Sequence, residues 1–226
     1  MSTATKSRKP KNIKKRISAP PSLDECIPLV DVPEGTRGFW IVRKFKIPKS
    51  GAESFNKIKH IAEMGRQVVP GTYTKLTRLG DVIMSDTHAE RKDHLDFVKA
   101  ARGNVLVTGL GLGMVANAVL LGNARTCTVI ERDKDVIDLV AGHYEKKFGD
   151  RFKVINADAL KWVPEDGVKF DWAWHDIWPT IDEDNLAEMA EIEARLKPFV
   201  KKQAHWCKRE CEKLSRQPSK YGLFFV

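Results

Sequence analysis

The run Val105-Leu106-Val107-Thr108-Gly109-Leu110-Gly111-Leu112-Gly113 constrains this chain more than any other segment. Its apolar first half predicts a buried strand, and its glycines predict a tight turn that a Cβ would obstruct. Met114, Val115, Ala116, Ala118, Val119 and Leu121 then supply the apolar positions of a helix. A second apolar strand follows, Cys127-Thr128-Val129-Ile130, and it ends on Glu131. Strand, glycine turn, helix and acid-ended strand form the front of a nucleotide-binding α/β unit, in which an acid ~20 residues past the glycines accepts hydrogen bonds from a ribose diol.

The glycine spacing narrows the ligand. Dinucleotide sites carry G-x-G-x-x-G, whereas this chain reads G-x-G-x-G and holds Met114 where the third glycine would fall. The short form resembles the first motif of class I S-adenosylmethionine-dependent methyltransferases and of the related spermidine synthases. The resemblance implies S-adenosylmethionine as cofactor. It also implies contacts to it from Gly109, Leu110, Gly111, Leu112, Gly113, Glu131 and Arg132.

Regular alternation continues downstream. Strands are expected at 104–108, 126–131, 152–156 and 170–175, with helices at 113–121, 133–147 and 183–196. Such alternation predicts a Rossmann-like, doubly wound α/β fold whose mostly parallel sheet is covered on both faces. Right-handed crossovers bring the strand C-termini to one edge, where ligands bind.

Ahead of that core, residues 1–37 read as a basic tail and linker broken by Pro10, Pro20, Pro21, Pro28 and Pro33. Residues 38–102 read as a small α+β subdomain: a strand from Phe39 to Ile47, a helix from Ala52 to Met64, and a hairpin from Tyr73 to Met84. A helix capped by Ser85 or Asp86 is expected to run to Arg102. Residues 103–200 form the expected cofactor domain, and 201–226 a basic C-terminal segment, shortened relative to a seven-stranded sheet, in which Leu223 to Val226 could add a strand.

Three further loops would complete the site. Asp158 and Ala159 follow the third strand, where the resemblance implies an acid that accepts from the adenine amino group. The fourth strand ends in Trp174-His175-Asp176-Ile177-Trp178-Pro179. The resemblance implies that Asp176 lies beside the transferred group, as base or cofactor contact. His175 is the competing base by its ordinary pKa. Strand alternation turns the two to opposite sides, so one of them faces the pocket and Asp176 is the choice. Trp178, just past the strand, is an expected pocket wall, and Asp86 an expected substrate contact. The details depart from spermidine synthases: Glu90-Arg91-Lys92 stands where those carry Tyr-His-Glu, and Asp176-Ile177-Trp178-Pro179 lacks their second Asp.

Composition sets outer limits. No run is long and apolar enough to span a bilayer, and the basic N-terminus lacks the apolar segment of a secretory signal, so the expected location is the cytoplasm. Cys26, Cys127, Cys207 and Cys211 read as reduced thiols, and no metal site is expected. The net charge of +9 is concentrated between Lys6 and Arg16 and again between Lys197 and Arg209. The first run reads as a solvated tail, with nucleic acid as the alternative partner. The expected function is methyl transfer to an unidentified acceptor. Aminopropyl transfer and non-catalytic nucleic-acid binding are the alternatives, and the homodimer is left open.

Overall fold

The structure, a computed structural model, describes residues 21–57 and 66–216. The strand at β5 (Gly103–Thr108) is the centre of a five-stranded sheet with β6 (Ala124–Glu131), β7 (Phe152–Asn156), β8 (Phe170–His175) and β9 (Val200–His205). The order is β7-β6-β5-β8-β9, and every pairing is parallel. Chain order therefore runs outward one way from β5 to β7 and then restarts on the other side at β8. The junction between β5 and β8 is the topological switch point, where loops leaving the strand C-termini diverge and open a crevice.

Side-chain alternation divides this sheet into two packed faces. Val105, Val107, Trp172 and Trp174 point to one face, against Phe97; the Phe97 and Trp174 ring centroids are 4.9 Å apart. Leu106, Ala173 and Ile130 point to the other, against Met189, Ile192 and Leu196. Those three residues lie on the inner stripe of the helix Asn185–Leu196. The helix Met114–Leu121 is buried at all but its last residue, so its burial rather than any amphipathic stripe holds it in place. The helix Lys134–Phe148 starts from an N-cap at Asp133, whose side chain accepts from the Asp135 N–H.

The N-terminal region departs from expectation. The expected strand and hairpin join with one further strand into a four-stranded antiparallel sheet of β1 (Gly35–Arg37), β2 (Trp40–Ile47), β3 (Gly71–Arg78) and β4 (Asp81–Ser85). Order begins well before Phe39. Ser22 and Glu25 make a capping box on the short helix Leu23–Cys26, and Ile27, Val30 and Val32 are buried in the main core. The segment before Phe39 is thus a packed strap rather than a linker, because it carries apolar residues that bury more surface than its prolines cost in regularity.

The expected helix to Arg102 is two short helices, His88–Asp93 and Leu95–Ala100, divided at His94. Neither Ser85 nor Asp86 caps them. Ser85 instead donates its hydroxyl to Glu90, and Asp86 accepts the N–H groups of Val30 and Thr74 at 2.7 and 2.6 Å. The helix expected over 52–64 is seen as Lys49–Asn56, and its remainder lies outside the described residues, as do the tail 1–20 and the strand expected at 223–226. The basic run after Lys197 is structural in part: it forms β9 and the helix Lys208–Ser215.

Candidate functional site

A cleft of about 1330 Å³ opens at the switch point. Gly109, Leu110 and Gly111 line it from the loop after β5, Glu131 and Arg132 from the end of β6, Asp158 and Ala159 from the loop after β7, and Asp176 and Trp178 from the loop after β8. Leu112 and Gly113 do not. Leu112 is fully buried, its carbonyl accepts the Tyr144 hydroxyl at 2.8 Å, and a Cβ on Gly113 would lie 2.1 Å from the Tyr144 ring.

The glycines have an internal reason as well. Gly109, Gly111 and Gly113 all have positive φ, at 92, 49 and 71°. A Cβ on Gly109 would meet the Asp176 carbonyl oxygen at 2.0 Å, and one on Gly111 would meet the Met84 sulfur at 2.1 Å. The turn is therefore glycine-rich because the β8 loop and the antiparallel sheet pack directly on it. This holds with or without a ligand.

Glu131 is the most organised acid of the cleft. One carboxylate oxygen accepts the Leu110 N–H and the other the Asp133 N–H, both at 2.8 Å. Each oxygen keeps a second lone pair, so the group is held in a fixed pose yet still accepts hydroxyl donors. Asp158 uses Oδ1 for the Leu160 N–H at 3.0 Å, and its side chain is 41% exposed, with Oδ2 facing only the solvated Lys161 ammonium at 3.8 Å.

The β8 strand end separates its two titratable residues. His175 follows the Leu106 side of the sheet and is fully buried, with Nδ1 3.1 Å from the Thr108 hydroxyl and Nε2 2.9 Å from Gln203 Oε1. Gln203 gives its amide N–H to the Glu193 carbonyl, so its oxygen accepts and His175 carries its proton on Nε2. Burial pushes the imidazole down to about 3, so it stays neutral. It does not reach the cleft, and the expectation of His175 as a base is corrected: both ring nitrogens are engaged inside the sheet. Asp86 is corrected likewise. It is fully buried, away from the cleft, and ties the N-terminal strap to β3.

Asp176 emerges on the Trp174 side, into the cleft, with 23% of its side chain exposed. Burial and the neighbouring Glu90 carboxylate push it up to about 7. His94 Nε2 lies 3.9 Å from Asp176 Oδ2, beyond hydrogen-bond reach. Burial holds His94 down to about 3, so the pair is a carboxyl beside a neutral imidazole and not an ion pair. Sequence reasoning missed His94 and Arg66, and it gave no place in this cleft to Glu90 and Trp206, all four of which line it. The spacing of Glu90 and His94, four residues apart, is the one signal that could have paired them on a helix face. Glu90 is fixed by the Ser85 N–H at 2.7 Å, and Arg66 by Asp93 at 2.9 Å. Trp178 is buried and donates its indole N–H to Glu188 at 2.8 Å, which orients it as one wall.

Fold and cleft together define a doubly wound, Rossmann-like α/β protein with an acid-lined crevice at its switch point. No family model matches the chain, and no curated protein does. Solved structures align with parts of the chain. The complex of DhpI with SAM and HEP aligns over 75% of this chain and 67% of its own, at 14% identity and a TM-score of 0.40. The N-methyltransferase NodS from Bradyrhizobium japonicum aligns over 49% of this chain and 62% of its own, at 15% identity and TM-score 0.39. The [4+2]-cyclase SpnF aligns over 46% and 42%, at 23% identity and TM-score 0.35. Of the first solved structures matched, the chain covers 52 to 61% of their length.

Proposed function

We propose that this protein is an S-adenosylmethionine-dependent methyltransferase. The observation that carries the reading is Glu131: a carboxylate pinned by two backbone N–H groups, at the end of the second strand from the switch point, on the wall of a cleft bounded by the glycine turn. Asp158 in the loop after the adjacent strand suits the adenine amino group, and Gly109 to Gly111 border the amino-acid part. NodS is named for methyl transfer, but the cyclase SpnF has a related frame, so the reading rests on the site.

When bound, the cofactor supplies an already activated methyl group. The chain then has two tasks, to align the acceptor and to take its proton. Asp176 suits the second. Its raised pKa leaves it part protonated near neutrality, and the β8 backbone that carries it packs on Gly109. His94 stays neutral and does not compete for that proton.

The test is calorimetry with S-adenosylmethionine, its decarboxylated form, S-adenosylhomocysteine and NAD. Micromolar binding of the first and third is expected, with at least tenfold loss in Glu131→Ala. Preference for the decarboxylated form would move the reading to aminopropyl transfer. Binding of none, or binding indifferent to Glu131, would overturn it.

A further inference from the structure

The chain carries a net charge of +9, yet its principal cleft has the opposite sign. Eight carboxylates and three guanidiniums line it. Glu131 and Asp158 are absorbed by the cofactor reading, and Asp133 accepts the Trp40 indole N–H at 2.7 Å. The other five, Glu90, Asp176, Asp182, Asp184 and Glu188, line the same cleft, Glu188 as acceptor of the Trp178 indole N–H. Three guanidiniums do not balance eight carboxylates: Arg66 attracts Glu90 but is shared with Asp93 at 2.9 Å, Arg78 lies 5.4 Å over the Trp40 ring, and Arg132 stands beside Glu131 on the cofactor side.

Three further features point to what occupies this space. Trp178 and Trp206 present indoles to it, surfaces that attract cations through their negative faces. His94 lines it with 2% of its surface exposed, and its Nδ1 has no hydrogen-bond partner among the described residues. Arg91, next to Glu90 in the chain, turns away: its guanidinium reaches Asp24 and the Ile27 carbonyl at the N-terminal strap and does not line the cleft.

We propose that the acceptor end of the cleft binds a small protonated amine, its ammonium group held between Glu90 and Asp176 with Trp178 and Trp206 as walls. This rests on the methyltransferase reading and names its acceptor class. Two half-buried carboxylates, of which Glu90 raises the pKa of Asp176, are relieved by a cation, and an ammonium between them relieves both. A phosphate-bearing acceptor would meet the reverse, since the field of these acids repels anions from the cleft whatever the charge elsewhere.

The experiment compares ligands of equal shape and different charge. Benzylamine, benzyl alcohol and benzoate are titrated by calorimetry at neutral pH into the protein, with and without saturating S-adenosylhomocysteine. Benzylamine is expected to bind at least tenfold more tightly than the alcohol, and benzoate not measurably. Glu90→Gln is expected to weaken benzylamine at least tenfold while S-adenosylhomocysteine affinity stays within about tenfold. Equal binding of amine and alcohol, preference for benzoate, or an unchanged amine affinity in folded Glu90→Gln would each overturn the proposal. So would a short RNA that displaces benzylamine from the cleft. The comparison among the three ligands uses the unaltered protein, so it stands even if Glu90→Gln fails to fold. Failure of S-adenosylhomocysteine to bind would count against the methyltransferase reading alone, because the titrations without it still decide the amine question.

Discussion

At the scale of single residues, two neighbours on β8 take opposite protonation behaviour from one peptide bond of separation. Asp176 sits half in the cleft with a pKa raised to about 7, while His175 sits inside the sheet with a pKa lowered to about 3. The consequences for stability have opposite signs. For Asp176 the folded value lies above the unfolded one, so its contribution is present below about pH 4 and is lost as pH rises through about 7. Asp176→Asn should therefore gain on the wild type above pH 7 in denaturant titrations. The same change should abolish methyl transfer, and in the wild type turnover should climb with pH through about 7 as the carboxylate forms. A flat rate profile would remove Asp176 as the base. For His175 the folded value lies below the unfolded one, so its contribution is complete above about 6.5 and is lost toward pH 3. Between pH 7 and 5, His175→Gln should lose about 2 kcal/mol less stability than the wild type. Parallel pH-dependent unfolding curves for the two would show that His175 is not the buried neutral group described.

At the scale of elements, the glycine turn is held from three sides. β4 puts the Met84 sulfur 3.1 Å from the Leu112 N–H, the helix after β6 puts Tyr144 under Gly113, and the β8 loop puts the Asp176 backbone against Gly109. Gly113→Ala should cost about 2–4 kcal/mol, from left-handed backbone strain and a ring clash together. Tyr144→Leu in the same chain should recover part of that, since it removes the clash and leaves the strain. A double-mutant cycle by chemical denaturation checks this, and additivity of the two changes would contradict it. The turn's sequence thus announced a strand–turn–helix unit correctly. It did not say that Met84 and Tyr144, 27 and 31 residues from Gly111 and Gly113, are what the missing side chains make room for.

At the scale of the whole molecule, the antiparallel sheet and the parallel sheet share one core through the strap that contains Ile27, Val30 and Val32. Asp86 secures it by accepting two backbone N–H groups in a site without solvent. Asp86→Ala should destabilise the protein by about 2–6 kcal/mol, one unsatisfied donor at each end. Cofactor affinity should weaken with it only as far as the folded fraction falls. A thermal melt with Tm unchanged would show that the strap is not anchored there.

Period and composition were enough for four of the five strands of the parallel sheet, whereas β9 was read as a basic segment because its lysines mask the apolar alternation. Strands 152–156 and 170–175 are seen at the positions read from the chain, because alternating apolar runs that end at glycines and acids specify local conformation whatever surrounds them. That Glu131, Asp158 and Asp176 line the cleft was legible for the same reason, each being an acid at or within two residues of a strand end. Long-range packing decided the rest. The burial of His175 and Asp86, the strap before Phe39, the division of one helix at His94, and the meeting of Glu90, His94 and Arg66 around Asp176 all depend on contacts far apart in the chain. A local pattern carries no record of which distant surface will remove a group from water, and in this protein that removal sets both the pKa values and the sign of the cleft.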